Sequence, residues 1–169
     1  MLYLINVSFC SILVSYRILL GNETEFPISN CMPTGGPINL NQIKMKVTAE
    51  KNEKVAQMIF ASIYPLYLNR LEKNGRTKEE LDQVITWFTG FDQDALQLLI
   101  DEKVTFGTFF QKAKIHPNEH MIKGVVCGYR IEEIEDEFEL YKQCRQMEKL
   151  IDELAKGRKM EKILRKEKK

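Results

Sequence analysis

Several chemistries are missing from this chain. Of 169 residues only four are cysteine, at positions 10, 31, 127 and 144, and no C-x-x-C pair occurs. That spacing matches no disulfide framework, so the small cross-linked secreted folds are excluded and a reducing, cytoplasmic compartment is expected. Histidine is limited to His116 and His120. Charge of one sign is lacking: the net charge is +1, which removes any global bias toward nucleic acid or membrane. No catalytic or cofactor motif, calcium loop or internal repeat is present, and no cofactor is expected.

What remains is ordinary in bulk. Charged residues make up 29% and apolar ones 44%, and the length suits one domain with its own core. The composition shifts along the chain. Residues 1–44 hold only Arg17, Glu23, Glu25 and Lys44 as charged side chains. Their first 20 residues are apolar enough for a signal peptide or membrane anchor. However, no Lys or Arg precedes the run, Arg17 interrupts it, and no small-residue cleavage site follows. The stretch "PISNCMPTGGPINLNQ" has no periodicity and reads as disordered. A third reading makes Met45 the true start. We expect a non-core extension over 1–44, membrane-associated only if residues 1–20 are genuine, a helical domain over 45–157, and a basic tail over 158–169.

From Met45 onward helical periodicity begins. "SIYPLYLNRLEKNG" predicts a helix capped by Ser62, with Pro65 in its first turn and Gly75 past its end. Val55–Ala61 before it reads as a short strand or another helical turn. In "TKEELDQVITWFTG", Thr77 and Glu80 form a capping box, an apolar face follows on Leu81, Val84, Ile85 and Phe88, and Gly90 stops the helix. Asp92 and Thr105 start two more helices. Asn118–Gly128 favours a short helix over the strand that its alternation also permits. A long helix runs from about Asp136 to Ala155, and a short amphipathic one lies in the tail. Trp87, Phe88, Phe91, Phe109 and Phe110 are expected in the core. The fold class is mostly α: one compact domain of several short helices closed by a long C-terminal helix, with room for one short strand or hairpin.

The segments "FASIYPLYLNRLEKNGRTKEELDQVITWFTGF", "TFGTFF", "IKGVVCG", "EEIED" and "KLIDELAKGRKMEKILRK" occur in an order that resembles an uncharacterised bacterial family, domain of unknown function 2200. The resemblance covers roughly residues 54 to 166. It implies a small soluble bacterial protein and no known activity. Two places depart from the family pattern: Glu137 stands where proline is common, and His116-Pro117-Asn118 where Asn-Pro-Asn is usual.

Five constellations are candidates for function. Cys127 is a candidate nucleophile, but the carboxylates beside it, and a place at a helix C-terminus, oppose a thiolate, so a packed turn is the simpler expectation. The Glu132–Asp136 block is a candidate carboxylate site, although charge runs are usually solvated faces. His116 and His120 are weak metal candidates because Pro117 breaks the geometry that would aim both at one ion. Lys156–Lys169 is a candidate phosphate-binding tail without stacking aromatics. Leu140, Cys144, Met147, Ile151 and Leu154 form a heptad-spaced seam, a candidate interaction surface or simply the buried stripe of a long helix. The leading expectation is a non-enzymatic protein acting through a protein partner or as a homo-oligomer. An enzyme using Cys127 or the carboxylates comes second, and nucleic-acid binding third.

Overall fold

The computed structural model describes residues 46–165, so the expectations for the N-terminal extension and the last four residues lie outside the described residues. The chain divides into two units between Lys44 and Met45, and the described elements belong to the second.

Helix α1, Ala49–Gln57, begins where the Thr48 hydroxyl accepts the Lys51 N–H, and none of its nine residues is buried. It stops at Met58, whose backbone is extended. Helix α2, Phe60–Glu72, follows directly. It starts two residues before the expected Ser62 cap, so Pro65 falls inside the helix and cannot donate to the carbonyl four residues back. The cause is tertiary. Phe60 N donates to Val104 O at 2.9 Å and Phe106 N to Met58 O at 2.8 Å, while Ile59 bridges Thr105. A cross-chain clamp, rather than a side-chain cap, sets this start. The stretch from Val55 is thus the last turn of one helix, a break, and the first turn of the next.

Helix α3, Lys78–Thr89, carries the expected capping box of Thr77 and Glu80 and ends at Gly90 in the left-handed conformation. Helix α4, Gln93–Asp101, is capped by Asp92, and helix α5, Phe106–Lys112, by Thr105. Their apolar faces meet in an aromatic cluster. Phe60 stacks on Phe109 at 4.1 Å and meets Phe106 edge-on at 5.5 Å, and Phe110 meets Phe88 edge-on at 6.5 Å. Trp87 and Phe91 are only half-buried, contrary to expectation. Trp87 lies off the Leu81–Phe88 stripe and stacks on His116 at 4.2 Å.

Residues 118–128 do not form the expected helix. A 3-10 turn over Pro117–Met121 gives way to a hairpin of β1, Val125–Val126, and β2, Tyr129–Arg130. Val126 pairs with Tyr129 across Cys127 (φ 49°) and Gly128 (φ 79°). Positive φ at both central residues makes a type I′ turn, whose twist suits a tight hairpin. Period-two alternation thus prevailed over the end signals, and the class stays mostly α.

Helix α6, Glu139–Ala155, is the axis of the unit and packs on α1, α2, α3, α5 and β1. Helix α7, Met160–Ile163, folds back on it, burying Ile163 and Leu164. Within the segment after 157, Ile163 and Leu164 are buried while Arg158, Lys159, Glu161 and Lys162 stay exposed.

Candidate functional site

The hairpin, α1 and α6 bring six polar side chains together. Arg145 lies in the middle, only 5% exposed. Its Nη1 pairs with Glu148 three residues on, and its Nη2 donates to the Tyr141 hydroxyl at 2.8 Å. The guanidinium carbon sits 4.6 Å from the Tyr141 ring centroid and 5.4 Å from that of Tyr129. Those rings meet edge-on at 5.3 Å. From α1, Lys51 Nζ donates to the Tyr129 hydroxyl at 3.1 Å. From the turn, the Cys127 thiol points to Glu148 Oε2 at 3.7 Å. A cation enclosed by two aromatic faces and a carboxylate is the arrangement that lets a charge stay buried.

The electrostatics follow from this enclosure. Burial, then the Glu148 carboxylate, push the Cys127 thiol up to about 12. Burial alone would lower the Arg145 pKa, but Glu148 and the surrounding thiols and phenol raise it overall. Burial is also the main reason that Tyr141 is raised. Tyr129 goes the other way: burial raises it, but hydrogen bonds with Tyr141 and Lys51 and the charges of Lys51 and Arg145 bring it below the ordinary phenol value. Chemically, the cluster holds its thiol protonated and its cation neutralised, with Tyr129 as the acidified group.

The sequence-derived candidates separate in space. Cys144, Met147, Ile151 and Leu154 are buried at 4% or less and Leu140 is half-buried, so the heptad seam is filled by the chain's own core. Cys144 is raised chiefly by burial. His116 Nδ1 accepts the Asn118 N–H at 3.1 Å, and His120 Nδ1 lies 2.9 Å from Pro117 O. No group of three or more metal-type ligands is present among the described residues. Glu132, Glu133, Glu135 and Asp136 are exposed; Glu132 accepts the Gly124 N–H at 2.9 Å and Asp136 pairs with Lys142 at 3.1 Å. In the basic segment, Arg158 and Arg165 both pair with Glu153, at 2.7 and 2.8 Å, and Lys156 pairs with Asp152 at 2.7 Å.

Sequence inspection missed the Arg145 cluster. The Tyr141, Arg145 and Glu148 spacing of four and three was there to be seen, but nothing local marks Lys51 and Tyr129 as their neighbours.

Among the described residues, fold and site define a small, mainly helical domain organised on one long helix, with one short hairpin and an Arg–Tyr cluster between them. The chain belongs to the DUF2200 family, described as an uncharacterized protein conserved in bacteria, whose model matches residues 54–165. It is similar to the crystal structure of uncharacterized protein SP1917, with 36% identity and a TM-score of 0.63 over 69% of this chain and 97% of that one. No curated protein matches it. No described helix is long and apolar enough to cross a membrane.

Proposed function

We propose that the protein is a non-enzymatic cytoplasmic component that acts by binding a protein partner. One observation carries this reading: the groups nearest to a chemical site are engaged with one another, although Arg145 Nε is buried without a hydrogen-bond partner. Cys127 is held as a thiol against Glu148, and Arg145 is committed to Glu148 and Tyr141. A nucleophile needs the opposite environment, with a cation facing the sulfur and no carboxylate. The free thiols of Cys127 and Cys144 support a reducing compartment. With the heptad seam filled, binding falls to the surface, where Leu98 is 57% and Val125 49% exposed. Sedimentation of the full chain with crosslinking in a bacterial lysate tests this. The expected result is a defined complex with another protein. A strict monomer that crosslinks to nothing refutes the proposal.

A further inference from the structure

The C-terminal ends of α2 and α6 meet. Arg70 Nη2 reaches Asp152 Oδ1 at 2.6 Å, and Arg76 Nη2 donates to the Arg158 carbonyl at 3.2 Å. A Cβ at Gly157 would lie 4.0 Å from the same Arg76 nitrogen. The turn after α2 thus lies against the turn after α6. Two carboxylates stand under this junction, and each is shared by two cations. Asp152 takes Arg70 and Lys156, at 2.6 and 2.7 Å. Glu153 takes Arg158 at 2.7 Å and Arg165 at 2.8 Å. Both carboxylates are buried, whereas the side chains of Lys156 and Arg158 are 69% and 47% exposed. Four cations over two anions leave a surplus of positive charge, and burial puts the anions on its inner side.

The surplus persists around the junction. Lys73, Lys159 and Lys162 are exposed, and none has a carboxylate partner among the described residues. Segments 70–80 and 152–165 together hold nine cations against six carboxylates, an excess of +3 in a chain whose net charge is +1. Of the six, Glu72, Glu79 and Glu161 are exposed, and Glu80 is committed to Arg76 at 2.8 Å. A cation in the last turn of a helix complements its dipole, but Lys159 stands at the start of α7, where the dipole opposes it. Nothing apolar accompanies the charge. The exposed large hydrophobic side chains, Ile59, Leu98, Met121 and Val125, belong to other segments, and neither basic segment contains an aromatic residue. Protein interfaces are built on an apolar and aromatic centre and are poor in lysine, and single strands are held by stacking on aromatics. The outside of a duplex asks only for cations held in place.

We propose that the face formed by Lys73, Lys156, Arg158, Lys159 and Lys162 binds the phosphate backbone of a nucleic-acid duplex without reading its bases. The lysines act as point charges on phosphate oxygens, while Asp152 and Glu153 hold Lys156 and Arg158 in position from beneath. This goes beyond the protein-binding function proposed above and does not depend on it.

The test titrates the full chain into fluorescently labelled DNA and RNA duplexes of one sequence over a range of salt. Five phosphate contacts should give a slope of log K against log salt of about −4.5. Lys73→Gln, Lys159→Gln and Lys162→Gln together should reduce that slope by about three, which at about 0.1 M salt is a loss of at least a hundredfold. Lys54→Gln, Lys103→Gln and Lys112→Gln remove the same charge outside the face and should leave the slope unchanged. An equal loss in the two triple variants overturns the proposal, as does no measurable binding at about 50 mM salt. Lys73→Arg, Lys159→Arg and Lys162→Arg together should retain binding, and a loss there overturns a charge-based site. A chain with Lys166→Gln, Lys168→Gln and Lys169→Gln isolates the last residues: binding lost in that variant and kept in the face variant overturns the face. Single strands bound as tightly as duplexes, or poly-glutamate displacing a duplex at equal charge, overturn the choice of a duplex. Binding to one of the DNA and RNA duplexes supports the face and names the source of the phosphate, and equal binding to both supports it as a reader of backbone alone. Duplex binding in a chain that crosslinks to no protein keeps this inference and refutes the protein-binding reading, and a protein partner without duplex binding does the reverse.

Discussion

Cys127 shows how one residue is governed by conformation and enclosure at once. It sits at φ 49° in the hairpin turn, a conformation that costs a non-glycine residue about 1 kcal/mol. Its sulfur is shielded beside Glu148, and burial, then that carboxylate, push the thiol above its ordinary value to about 12. The sign follows. The folded chain holds this proton more tightly than the unfolded one, so the contribution to stability is complete below pH 9 and is lost as pH rises toward 12. Iodoacetamide labelling of the native chain, read by mass spectrometry at neutral pH, should modify Cys127 about a hundredfold more slowly than in the urea-unfolded chain. Equal rates would show an accessible thiolate. The flanking glycines made a turn legible here, but not its type. Asn118 and Gly128 resemble helix ends, while the hairpin is decided by two consecutive positive φ angles that no side-chain pattern announces. Arg145 was less legible still, because periodicity picks out apolar stripes and says nothing of a cation sandwiched by rings from another element.

At the scale of elements, what is local was readable and what is tertiary was not. Helix α3 has both of its ends written nearby, the capping box at Thr77 and the left-handed Gly90. The start of α2 depends on hydrogen bonds to the 104–106 segment, which lies far away in sequence. Gly90 also has a packing role beyond its φ of 72°. A Cβ there would lie 2.8 Å from the Lys114 carbonyl oxygen, where Lys114 N and His116 N donate to the end of α3 at 2.8 and 3.0 Å. Gly90→Ala should therefore lose about 2–4 kcal/mol in urea denaturation, from the left-handed backbone together with overpacking. Gly75→Ala is the matched control. At φ 70° a Cβ there meets nothing within 4 Å, so only the backbone cost of about 1 kcal/mol applies. Equal losses at the two positions would remove the packing argument.

For the molecule as a whole, every buried apolar residue among those described lies at Phe60 or later. By sequence, residues 21–44 hold few apolar side chains and no periodicity, so a chain beginning at Met45 should melt at the same temperature as the full chain by circular dichroism. A midpoint lower by several degrees, equivalent to about 1 kcal/mol, would show that residues 1–44 contribute to folding stability. The mostly α class was legible because the amphipathic segments are long and their breaks carry glycine. The long closing helix was also visible, read from about Asp136 to Ala155 and found at Glu139–Ala155. That its heptad stripe would face inward was not, because spacing alone does not distinguish a core from an interface.

The link between Asn52 and Tyr141 spans 89 positions of sequence. During synthesis at roughly 5–20 residues per second, Asn52 is made about 4–18 seconds before Tyr141, whose amide it will cap. Over that interval the nine residues of α1 lack the α6 surface they pack on and are too few to hold a helix alone. The order of translation thus separates this cap from the helix it serves, and α2 to α5 are made before the contact can close.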